Sequence, residues 1–139
     1  MAHSEQHILI IGAGLTGLLI ARGLRAAGVA YTVFEREEVD YQGRKEWAMT
    51  VHWGLPYLES LVGPELAAQL VQATVDPSLD WNASPAYPGA IFDGVSGELV
   101  KRLDFEQKTY RLSRRKLRAL LMRGIDVKVR SFTIGLYAR

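Results

Sequence analysis

Ile8-Leu9-Ile10-Ile11 is an unbroken apolar run that stops at Gly12, the pattern of a parallel strand covered on both faces. Beyond it Leu15, Leu18, Leu19 and Leu24 recur at helical spacing, which predicts a helix from Leu15 to Ala27 with Gly28 as its left-handed terminator. Tyr31-Thr32-Val33-Phe34 then supplies a second β-rich run, ending at Glu35. The order is strand, glycine turn, helix, strand.

Further along, the pattern weakens. Residues 36–47 are polar and read as a surface loop, and two short helices are expected at Leu55 to Val62 and Glu65 to Val71, divided by Gly63-Pro64. Pro77, Pro85 and Pro88 leave no secure element between Thr74 and Gly89. Apolar runs on both sides of Asp93-Gly94 and Ser96-Gly97 predict a β-hairpin from Ala90 to Leu103. Ser113 can cap a helix through Arg123 with Leu117, Leu120 and Leu121 on one face, Gly124 closes it, and the alternation from Ile125 to Val129 reads as a strand. The expected fold is α/β: the N-terminal part of a doubly wound, Rossmann-like domain with a small hairpin insertion, the residues 1–139 forming one domain.

Composition narrows this only a little. A chain of 139 residues with 48% hydrophobic and 23% charged positions is an ordinary globular one, with room for one domain but short for a two-domain enzyme. A net charge of +2 is too small to argue for a polyanionic partner. The absence of cysteine excludes disulfides and thiolate metal sites, and His3, His7 and His52 lack the spacing of a metal centre, so no metal is expected. The apolar stretch from Ile8 to Ala21 contains three glycines, follows no Lys or Arg, and falls short of the roughly 20 residues that span a bilayer. A cytoplasmic protein without a membrane partner is the default expectation.

Gly12-Ala13-Gly14-Leu15-Thr16-Gly17 matches G-x-G-x-x-G in its proper context, after a strand and opening a helix. The first glycine permits the turn, the second admits a pyrophosphate close to the backbone, and the third lets helix and strand pack tightly. The helix N-terminus beyond them offers N–H groups and partial positive charge to phosphates. Glu35, 18 residues after Gly17, stands where a carboxylate accepts hydrogen bonds from an adenosine ribose and repels a 2′-phosphate, which favours FAD or NAD over NADP at this site. A plainer role for Glu35 is to end a strand in solvent, paired with Arg36.

These residues resemble the FAD-dependent group A monooxygenases, particularly the fungal enzymes of aromatic and secondary-metabolite oxidation. The resemblance is carried by His7 to Glu35 with its Gly-Leu-Thr-Gly-Leu turn and Val-Phe-Glu-Arg strand end, by Trp47 to Leu61 with His52-Trp53 and Leu55-Pro56, and by Tyr110 to Val129. It implies that Gly12, Gly14 and Gly17 line the pyrophosphate of FAD, that Glu35 holds the ribose, and that Arg36, Arg44 and Arg111 lie near the cofactor. It also implies NAD(P)H as co-substrate, and a flavin that activates oxygen to hydroxylate a small aromatic or polyketide-like molecule, chemistry that belongs to the cofactor while the protein orients it. Two later family segments, one Gly-Asp and one Asp-Gly, are missing, so the chain is expected to be a truncated or misread relative unable to hydroxylate alone, its uncovered sheet prone to self-association.

Three alternatives remain. A non-catalytic nucleotide-binding or partner-binding module would share the glycine turn, and an NAD-dependent oxidoreductase shares its fingerprint. Nucleic-acid binding is suggested by eight Lys or Arg residues from Arg111 to Arg130 against the single acid Asp126, but no interleaved stacking aromatics accompany them, so no nucleic-acid partner is expected. Arg111 could equally belong to a solvated basic face. His52 and Trp53 are read as packing and given no chemistry, and no catalytic residue is assigned.

Overall fold

The computed structural model describes residues 6–37, 45–81, 89–103 and 108–129. They fall into two compact units, one built from residues 1–45 and 118–139 and the other from residues 46–117.

The first unit is a parallel sheet with two helices. β1 (His7–Ile11), α1 (Leu15–Ala26) and β2 (Ala30–Glu35) form the expected β-α-β unit, and β7 (Val127–Val129) joins β2 on its other side. All pairings are parallel, with Ile11 opposite Phe34 and Glu35 opposite Val129. β2 therefore lies in the middle and β1 at an edge. Ile10, Leu18, Ala21 and Val33 are buried, as are Leu120, Leu121 and Ile125 from α4 (Arg114–Met122) and the turn after it. Leu9 and Ile11 remain 62% and 72% exposed, because among the described residues nothing covers that face of β1. Gly28 and Gly124 both close their helices in the left-handed region.

One charged residue sits inside this unit. Arg22 follows Leu15 and Leu18 on the buried stripe of α1, and its guanidinium donates to the carbonyls of Leu121 at 3.0 Å, Arg123 at 2.7 Å and Leu120 at 3.4 Å. These carbonyls stand at and just beyond the C-terminal end of α4, where the helix ladder runs out and the negative end of its dipole lies, and that of Leu120 also accepts the Arg123 N–H at 3.3 Å. Arg22 thus acts as a C-terminal cap supplied from another helix, and Arg25 adds a bond to the Gly124 carbonyl.

The second unit contains β3 (Ala48–Val51) paired antiparallel with β6 (Tyr110–Ser113), α2 (Leu55–Val62), α3 (Pro64–Ala67) and the hairpin strands β4 (Gly89–Phe92) and β5 (Leu99–Leu103). The hairpin stands where the sequence placed it, its turn closed by Asp93, whose carboxylate accepts the N–H groups of Val95 and Ser96. The helix expected from Glu65 to Val71 is instead α3 followed by a 3-10 turn at Leu70–Ala73. Thr74 must lie against Leu112, and Val75 N–H bonds the Arg111 carbonyl, so the chain tightens and leaves the helix early. Ser113 caps α4 as expected, accepting the Lys116 N–H at 3.1 Å while donating to Glu46.

Replacing Arg22 by Met keeps the aliphatic stem but strands the α4 carbonyls, and is expected to destabilise the chain by about 2 kcal/mol. Urea denaturation of wild type and R22M measures this. An unchanged midpoint would show that solvent serves those carbonyls equally well.

Candidate functional site

The glycine turn is shaped by what its neighbours exclude. At Gly12 the backbone takes φ +101°, a conformation that side chains resist, while its N–H extends the sheet by bonding the Phe34 carbonyl at 2.7 Å. At Gly17 the limit is contact. A Cβ there would run into the Gly12 carbonyl oxygen and stand 3.2 Å from Ile10 Cγ2, so only glycine lets α1 lie this close to β1. Gly14 is under neither constraint, since its φ is −74° and a Cβ on it would meet no atom within 4 Å. The space above Gly14 is open, and α1 begins beside it with no side-chain cap and no acid in its first turn. No capping side chain therefore serves the first N–H groups of α1.

Glu35 closes the turn from the end of β2. Its Oε2 accepts the Ala13 N–H at 2.8 Å, and its Oε1 accepts the N–H groups of Arg36 at 2.7 Å and Glu37 at 3.0 Å. Arg118, reaching in from α4, places Nη2 3.6 Å from Oε2 and donates from Nε to the Ala13 carbonyl at 2.8 Å. Partial burial pushes the Glu35 pKa up, but the N–H groups of Glu37, Ala13 and Arg36 and the charge of Arg118 outweigh it and hold the carboxyl below its ordinary value. Glu35 is an anion poised beside an open helix N-terminus.

The structure brings Gly12, Gly14, Gly17, Glu35 and Arg36 together in the first unit. The Arg36 side chain is 75% exposed, with Nη2 3.7 Å from Glu37 Oε1. Arg111 is an exposed residue of β6 in the second unit, opposite Thr50. Arg44 lies outside the described residues. His52 Nδ1 accepts the Trp53 N–H, a local bond, and among the described residues no three His, Asp or Glu side chains converge as metal ligands. Arg118 escaped the sequence reading because it sits within a run of basic residues. Its signal was position: three residues before Leu121, it lies on the rim of the apolar stripe.

This turn, with an acid at the end of the second strand, defines a dinucleotide-binding β-α-β unit. Residues 5–52 match the family model described as an FAD binding domain. The chain is 37% identical over 128 residues to the FAD-dependent monooxygenase phnB of Penicillium herquei, covering 92% of this chain and 30% of that protein. It is 36% identical over 121 residues to the FAD-dependent monooxygenase dbaB of Emericella nidulans, covering 86% and 30%. Among solved structures, 2-methyl-3-hydroxypyridine-5-carboxylic acid oxygenase superposes with a TM-score of 0.67 at 17% identity, covering 91% of this chain and 32% of the other. PqsL of P. aeruginosa, in complex with 2-aminobenzoylacetate, gives 0.64 at 20% identity, covering 89% and 33%. The chain belongs to the FAD-dependent group A aromatic monooxygenases, whose cofactor is FAD, and it spans about 30% of the length of the curated relatives it matches. Among the described residues, no helix is long and apolar enough to cross a membrane.

Because its folded pKa is depressed, Glu35 contributes stability that is present above about pH 4.3, the ordinary glutamate value, and is lost as the pH falls through the lower folded value. Unfolding midpoints of wild type should therefore drop across this acid range more steeply than those of E35Q. Parallel profiles would mean that Glu35 is not held in its charged form.

Proposed function

We propose that this chain carries the adenosine- and pyrophosphate-binding part of an FAD-dependent monooxygenase. The observation that carries the reading is the charged Glu35 carboxylate held beside the uncapped N-terminus of α1, with open space where a Cβ on Gly14 would stand. A pyrophosphate fits that setting. The first N–H groups of α1 and the turn would receive it, Gly14 would let it approach the backbone, and Glu35 would accept the ribose hydroxyls by exchanging part of its backbone bonding.

When bound, the flavin supplies the redox chemistry that joins an oxygen atom to an aromatic or secondary-metabolite substrate, with NAD(P)H as reductant. The chain's own residues anchor the end of the cofactor remote from that chemistry. Arg36 would screen the phosphates from the strand end, and Arg44 and Arg111 are proposed as further contacts, a guanidinium being suited to phosphate oxygens. No residue is assigned to the hydroxylation step, and these 139 residues by themselves are proposed to hold FAD without turning over.

A second reading, a nucleotide-binding module that associates with another chain, is favoured by one observation. β1 is an edge strand with Leu9 and Ile11 exposed, the feature that promotes pairing.

Titration of the purified chain with FAD, followed by flavin fluorescence and size-exclusion chromatography, tests both. FAD is expected to bind and FMN, which lacks the adenosine half, to bind at least about tenfold more weakly. G14A should lose FAD affinity while keeping its unfolding midpoint, because its Cβ occupies only the ligand's space. Equal binding of FAD and FMN would remove the assignment, and rapid NADPH oxidation by the chain alone would overturn its inactivity. Co-elution as a dimer with no flavin would favour the second reading.

A further inference from the structure

Ala13 is gripped at both of its backbone groups. Its N–H, which belongs to the peptide shared with Gly12, is held by Glu35 Oε2 at 2.8 Å, and its carbonyl, which belongs to the peptide shared with Gly14, is held by Arg118 Nε at 2.8 Å. Arg118 Nη2 and Glu35 Oε2 stand 3.6 Å apart and close the ring, their side chains only 16% and 14% exposed. Two adjacent peptide planes are thereby fixed, and with them the direction in which Gly14 leads into the first N–H groups of α1.

We propose that Arg118 is a positioning residue of the nucleotide site, locking the peptide planes flanking Ala13 and the Glu35 carboxylate into the arrangement that receives the pyrophosphate and ribose of FAD. It acts through the turn and through Glu35 rather than by touching the cofactor. The inference rests on the reading of this turn as the FAD site. Arginine suits the task because its planar fork serves a carbonyl and a carboxylate at once, whereas a lysine ammonium is a point charge on a flexible stem.

Among the described residues, the charges around Glu35 come from few places. α4 contributes the Arg118 charge, the strand end contributes Arg36 and Glu37, and the glycine turn contributes no ionisable side chain. On β7, Val129 stands opposite Glu35, while Lys128 stands opposite Phe34 and pairs with Asp126 at 3.8 Å. Among the described residues, Arg118 is the cation paired with Oε2, and its positive charge helps hold the carboxyl below its ordinary value.

The test compares wild type, R118M and R118K in the 139-residue chain. One readout is FAD affinity by flavin fluorescence between about pH 3 and 8, and the other is the titration of the Glu35 carboxyl by 13C NMR without cofactor. R118M is expected to weaken FAD binding about tenfold or more, to move the acid limb of the binding profile to higher pH, and to raise the Glu35 titration. R118K should restore the Glu35 titration and the acid limb, since charge is returned, while recovering only part of the affinity. If R118M does not fold, R118Q, which keeps a donor but no charge, should raise the Glu35 titration in the same way. Wild-type FAD binding together with unchanged affinity and unchanged Glu35 titration in R118M overturns the role of Arg118 alone. A wild type that binds no FAD overturns the site reading on which the role rests.

Discussion

The Ala13 peptide groups are buried in a tight turn, where neither an N–H nor a carbonyl can be left unpaired without cost. The turn itself cannot supply the partners, since Gly12, Ala13 and Gly14 have no polar side chains. They come from elsewhere in the chain, from Glu35 at the end of β2 and Arg118 on α4. Much of the first unit can be understood from this need. β2 must run parallel to β1 in the register that sets Phe34 opposite Ile11, so that Glu35 arrives level with the turn. α4 must be held so that Arg118 reaches it.

That second requirement explains a buried arginine on α1. Arg22 and Arg25 grip the C-terminal end of α4 through its carbonyls, and Arg118 from the same helix grips the turn that begins α1. α1 is therefore tied near both of its ends to α4, at the middle and the C-terminal end of that helix, by guanidinium groups bonded to backbone oxygens. Such bonds are directional and stronger than neutral ones, and they orient helices in a way that apolar packing alone does not. The close approach at Gly17 completes the frame by setting the distance of α1 from β1.

The elements legible in the sequence were those with strong local signals. The β-α-β unit, the hairpin around Asp93 and the capped helix from Ser113 each carry continuous apolar runs, turn residues or a cap, and each stands where its signal put it. β3 and β6 did not announce themselves, because Ala48-Met49-Thr50-Val51 and Tyr110-Arg111-Leu112-Ser113 are short, mixed in polarity and paired across about 60 residues of chain. The break between α3 and the 3-10 turn depends on the same pairing, through Thr74 and Leu112, and was equally invisible. Of the candidate site, Gly12 and Gly17 stand out because each meets a local backbone demand, and Gly14 and Glu35 because the motif sets their positions relative to the strand ends. Arg118 and Arg22 could not, since a basic residue on a helix reveals its partner only when another helix is brought beside it.

The central claim is that the glycine turn, the start of α1 and the Glu35 carboxylate form one site for the adenosine diphosphate half of FAD. An amide-resolved NMR titration with ADP-ribose, which carries that half without the flavin, tests it most directly. The claim predicts saturable shifts concentrated at Gly12 to Gly17 and at Glu35 to Glu37, with R118M reducing them. Shifts confined to β3, β6 or the hairpin, or none up to millimolar ligand, would contradict it.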